Sequence, residues 1–100
     1  MPDATISAAP DPSGTAGLAD FITQLRLLRA YAGNPSFRTL AKRVGPLLRP
    51  PQEVTHSTVS DVFDPARRRL NQELVAAIVQ ALGVPEERVP LWRAACVRAH

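Results

Sequence analysis

The sequence predicts an all-α fold: five short helices in one compact domain, behind a mobile N-terminal tail. Three observations carry this. Apolar residues recur at helical spacing in separate segments between residues 21 and 96. Capping residues precede those segments, and Gly or Pro follows most of them. No stretch holds the two-residue alternation of a strand convincingly. A chain of 100 residues, 45% of them hydrophobic, suits one domain rather than two.

Residues 1–17, MPDATISAAPDPSGTAG, are mostly small or polar and show no apolar periodicity. Such a segment buries too little surface to offset its ordering entropy, so it is expected to be disordered. It has neither a basic n-region nor an apolar h-region, and no signal peptide is expected. The domain is placed over residues 18–100.

The first helix is predicted over Phe21–Ala32, capped by Asp20, with Phe21, Leu25, Leu28 and Ala32 on one face. Leu27 and Tyr31 fall outside that stripe and are candidates for a partner surface. Gly33 suits the left-handed position after the last turn, and Asn34-Pro35 stops the helix. The second helix is predicted over Phe37–Val44. Ser36 caps it, and Phe37, Leu40, Ala41 and Val44 face inward. Arg38, Lys42 and Arg43 fall on other faces, and Gly45-Pro46 ends the run.

Residues 46–53, PLLRPPQE, read as a loop because three prolines oppose a helix there, with Leu47 and Leu48 tucked against the core. The third helix is predicted over His56–Phe63, capped by Thr55. VTHSTV is β-branched enough for a short strand, but the apolar triplet Val59, Val62, Phe63 favours the helix. A basic loop, DPARRRL, spans 64–70. The fourth helix is predicted over Gln72–Leu82, with Asn71 as cap, Glu73 at the positive end of the dipole and a Leu70–Val75 staple. The fifth begins near Pro90 and continues past Cys96, with Leu91, Trp92, Ala95 and Cys96 on one face. RAACVRAH keeps a helical pattern without a stop, so a truncated domain or a continuation into a dimerising helix is expected.

Charge is unevenly spread. The formal total is +3, yet residues 1–20 hold three acids and no base. The remaining 80 residues hold all 12 bases against six acids, a net of +6. A basic domain favours polyanionic partners. One cysteine excludes a disulfide framework and a Cys-rich zinc site, and points to a reducing compartment. No apolar run approaches the roughly 18–20 residues that span a bilayer, so no membrane partner is expected.

Catalytic constellations are missing from the pattern. Cys96 beside Trp92 reads as a small buried hydrophobe. His56 and His100 are the only histidines and lack ligand spacing. Asp61 and Asp64, three apart, read as two solvated acids, and the glycines form no phosphate loop. No enzyme activity, metal or cofactor is expected.

The informative constellation is SFRTLAKRVG, then a turn, then THSTVSDVF. This is the arrangement of a helix-turn-helix. The first helix would cross a phosphate backbone, while the second presents its N-terminal half to base edges. Small hydroxyls allow deep seating in a major groove, and flanking cations release counterions from phosphate.

These stretches, with FITQLRLLRAYAG before them and LNQELVAAIVQALGVP and LWRAAC after, resemble the Cro/repressor-like, or xenobiotic-response-element (XRE), helix-turn-helix domains. The variant at the N-termini of many actinobacterial regulators is the most similar, over roughly residues 18–97. The resemblance implies a lambda-repressor-like five-helix fold, sequence-specific binding of double-stranded DNA, often as a dimer, and a cytoplasmic, nucleoid-associated transcription regulator. It puts Thr55 at the cap of the recognition helix, touching phosphate, and His56, Ser57, Ser60 and Asp61 at base-reading positions. Arg38 and Arg43 fall near backbone, and Arg67, Arg68 and Arg69 fall where such domains contact phosphate or the minor groove.

Two departures stand out. Gly45 to Val54 spans about ten residues where the usual turn has about three to four. That insertion either carries Arg49 to the backbone as an extra contact or bulges away. The third helix also lacks Arg, Lys, Gln or Asn, the residues best suited to bidentate base contacts. The alternative reading is a protein-protein interaction module on the same scaffold, with a second copy or a further C-terminal domain among its partners.

Overall fold

The computed structural model describes Pro12 and residues 16–100. Among them are α1 (Leu18–Tyr31), α2 (Phe37–Val44), α3 (His56–Val62), α4 (Gln72–Ala81) and α5 (Val89–Ala99), with 3₁₀ turns at Gly45–Leu47 and Glu86–Arg88 and no strand. The all-α, five-helix expectation holds. The tail expected over residues 1–17 lies outside the described residues, apart from Pro12, which is buried, Ala16 and Gly17.

Local chemistry sets most helix ends. Ser36 Oγ accepts from the Thr39 N–H at 3.1 Å, and Thr55 Oγ1 accepts from the Thr58 N–H at 3.2 Å. Asn71 Oδ1 accepts from the N–H groups of Glu73 and Leu74. Each side chain satisfies donors that the first turn leaves orphaned. At the other ends, α1 and α4 close alike. Gly33 and Gly83, at φ 95° and 101°, occupy left-handed backbone that a side chain strains. The amides that follow reach back five residues, Asn34 to Arg29 O at 2.8 Å and Val84 to Val79 O at 3.1 Å.

Two starts differ from expectation. Asp20 is not the cap of α1: Gly17 is, without a side-chain bond, and the helix begins three residues earlier than Phe21. Leu18 packs against the core and draws the chain into the helix. Asp20 instead sits in the first turn and reaches back to accept from the Ala16 N–H at 2.9 Å, close to the dipole's positive end. Helix α5 begins at Val89, because the preceding 3₁₀ turn runs directly into it and Pro90 follows as its second residue. Leu91, expected on the apolar face of α5, is 44% exposed. The buried stripe is Val89, Trp92, Ala95 and Cys96, and Leu91 stands roughly 100° of helical rotation from Trp92.

The core is continuous. Helix α4 lies at its centre, with Val75 through Val79 all buried, and packs against both α5 and α2. Trp92 and Phe21 meet edge-on with ring centroids 5.9 Å apart, joining α5 to α1. Val59 and Val62 of α3 are buried, as is Phe63 directly after it, and Leu48 is buried from the insertion, with Leu47 and Leu70 packed on the core edge. Among the described residues no polar or charged residue is buried. No helix there is long and apolar enough to cross a membrane.

Candidate nucleic-acid interface

Helices α2 and α3 pack on each other, and each is short, with eight and seven residues. Helices of this length are marginal alone. Each therefore depends on its Ser or Thr cap and on a buried side: Leu40, Ala41 and Val44 from α2, Val59 and Val62 from α3. Burying one large aliphatic side chain stabilises by about 1.5–3 kcal/mol. The opposite sides are free for solvent or a partner. Arg38, Lys42 and Arg43 are exposed on α2, as are His56, Ser57, Thr58 and Asp61 on α3.

One ring ties this corner to α1. Phe37, the first residue of α2, stacks on Phe63 at 5.5 Å, tilted by 34°. The Arg29 guanidinium of α1 lies 4.2 Å above the Phe37 centroid, and its Nε–H donates to Pro35 O at 2.8 Å. Helix α1, the turn 33–36, α2 and the end of α3 thus meet at one aromatic contact.

The ten-residue span 45–54 does not bulge away. After its 3₁₀ turn it buries Leu48, passes a cis Arg49-Pro50 peptide, and returns to the end of α2. There the Gln52 N–H donates to Gly45 O at 3.2 Å. A Cβ on Gly45 would stand 2.6 Å from Gln52 O, so only glycine permits this approach. The returning segment forms one wall of an open groove of about 790 Å³. Arg38, Lys42, Gln52, Glu53, Thr55 and His56 share its lining.

The expected site residues therefore fall in several places. Arg38, Thr55 and His56 converge on this groove. Ser60 and Asp61 line a second depression, on the α1 side, with Arg26, Arg29 and Asp64. Arg43, Ser57, Arg67 and Arg68 are exposed. The basic loop is shaped by Asp64, whose Oδ1 accepts from the Ala66 N–H at 2.9 Å, with Arg67 N–H on Asp64 O at 3.1 Å. Arg69 lies on the far side of that loop, in a hollow with Gln72, Cys96 and His100. Arg49 is placed away from His56, over α4 and α5, where its charge acts on Glu73.

Sequence reasoning missed Gln52 and Glu53 as groove residues and Arg26 and Arg29 beside Asp61. Arg29 was legible in principle, four residues N-terminal to Gly33 and eight before Phe37. The return of the insertion had only one local sign, Gly45 ahead of Pro46.

Other reactive groups are differently placed. Cys96 is buried, and burial pushes its thiol up, away from the thiolate. His100 joins the end of α5 to the basic loop. The Leu70 N–H donates to its Nε2 at 2.9 Å, so the ring proton sits on Nδ1, which donates to Cys96 O at 2.7 Å. Among the described residues no group of three or more His, Cys, Asp or Glu is disposed to hold a metal ion.

Comparison with family models, with curated proteins and with solved structures finds no match to this chain.

Proposed function

We propose that the chain is a DNA-binding module of the helix-turn-helix kind, belonging to a transcription regulator, with α3 entering the major groove and α2 lying across phosphate. The observation that carries this is the groove beside α2 and the start of α3, whose lining Arg38 and Lys42 share with Thr55 and His56. Exposed hydroxyls and an imidazole on the leading turn of α3 suit base edges, and the cations beside them suit phosphate. Arg43 of α2 and Arg67 and Arg68 of the loop after α3 are further exposed cations.

A fluorescence-anisotropy titration of the chain against duplex fragments tests it. With about five phosphates neutralised, affinity should fall some 10²- to 10³-fold between about 50 and about 200 mM salt. Absence of duplex binding at low salt would end the proposal.

A second reading, a protein-binding module, is favoured by Glu53 in the groove and Asp61 on the outer side of α3, both of which repel phosphate. Reversing the charges of Arg67, Arg68 and Arg69 separates the two. Duplex binding should collapse under the first reading, and partner binding should survive under the second.

A further inference from the structure

Building on the duplex-binding reading, we propose that Gln52 of the insertion reads a base pair, selecting A·T. Helix α3 carries no Arg, Lys, Asn or Gln. Among the residues that line the groove beside it, Gln52 alone bears a primary amide. Its neighbours there are chemically one-sided. Arg38 and Lys42 only donate, Glu53 only accepts, and His56 carries its donor and acceptor on ring nitrogens that point apart. Thr55 has both capacities, but its hydroxyl oxygen already serves the Thr58 amide and hydroxyl. Gln52 offers a donor and an acceptor on one planar group, the pairing that matches adenine N7 and N6 in the major groove.

Its backbone is also held. The Gln52 N–H bond to Gly45 O anchors it to the C-terminal end of α2, and its carbonyl passes so near Gly45 that a Cβ there would stand 2.6 Å away. Leu48 on one side is buried, and Val54 on the other packs against the core. Gln52 itself is exposed, three residues ahead of the α3 cap. A polar group on a fixed backbone loses less freedom on binding than one on a loose loop. Arg49, the insertion's cation, points to a different part of the molecule, beside Glu73.

The test selects preferred duplexes from a random pool with the full chain, then measures affinity for the selected duplex and its single-pair variants. Wild type should show one A·T pair whose exchange for G·C weakens binding about five- to a hundred-fold. Gln52→Ala should erase the penalty at that pair alone and leave the salt slope unchanged. Gln52→Glu should move the preference there to C·G, since a carboxylate accepts from cytosine N4. Circular dichroism should show both variants folded, as expected for an exposed side chain. An unchanged A·T penalty in Gln52→Ala would overturn the assignment, as would wild-type binding that is equal on all duplexes, and in both cases duplex binding itself would stand. If wild type binds no duplex even at low salt, the functional reading falls, and Gln52 with it.

Discussion

The corner built by α2, the insertion and α3 contrasts with the body built by α4 and α5. Five consecutive residues of α4 are buried, and α5 sets Trp92, Ala95 and Cys96 against it. The corner buries three residues from α2 and two from α3, and holds its shape with caps, one aromatic stack and a backbone bond. Apolar area near the body supplies most of the stability, and the corner takes its shape from directional contacts. Substitutions in the body should therefore change folding, whereas those on the corner's surface should change binding with folding intact.

The largest effect that contrast predicts is at Trp92. Trp92→Ala should cost about 3–5 kcal/mol in urea unfolding, enough to unfold a marginal domain. A small loss would mean that the body is not where stability resides. Next, removing a cap by Thr55→Ala or Ser36→Ala should cost about 0.5–2 kcal/mol and lower duplex affinity as well, because either change frays a corner helix. His100→Ala should leave the Leu70 amide without its acceptor and speed its hydrogen exchange by an amount corresponding to about 0.5–1.5 kcal/mol, with little change elsewhere. Arg38→Ala should leave the thermal midpoint within error while reducing the salt slope of duplex binding by about one.

The smallest effect concerns the surface pair Glu73–Arg93. The Arg93 hydrogen bond holds the Glu73 carboxyl below its ordinary value. A depressed carboxylate contributes stability above its unfolded pKa, and that contribution is lost as pH falls through the folded value. Wild type and Glu73→Gln should therefore differ slightly at neutral pH and converge in acid, and a difference that grows in acid would contradict the sign. The side chain is exposed, so screening keeps the effect small.

What could be read from the chain follows the same division. Ser36, Thr55 and Asn71 were legible as caps because a cap is a contact over two or three residues. Val59, Val62 and Phe63 were legible because helical spacing alone assigns them a face. Asp20 misled because it has cap chemistry, while Gly17 starts the helix with backbone freedom and no side-chain signal. Leu91 misled because adjacency to Trp92 is not a shared face on a short stripe. The destination of the insertion was not legible at all. It depends on an amide seven residues beyond Gly45 finding that carbonyl, and on Leu48 turning inward so that Arg49 is carried toward Glu73. Local pattern does not encode such closures.

Phe37 has a consequence of its own. It touches both the Arg29 guanidinium and the Phe63 ring, so its size bears on how α1, α2 and the end of α3 meet. A smaller residue there, such as leucine, would keep the chemical identity of every groove-lining group while changing how the elements that carry them meet. Under the duplex-binding proposal, a change at Phe37 would then alter binding without touching a residue that meets the partner.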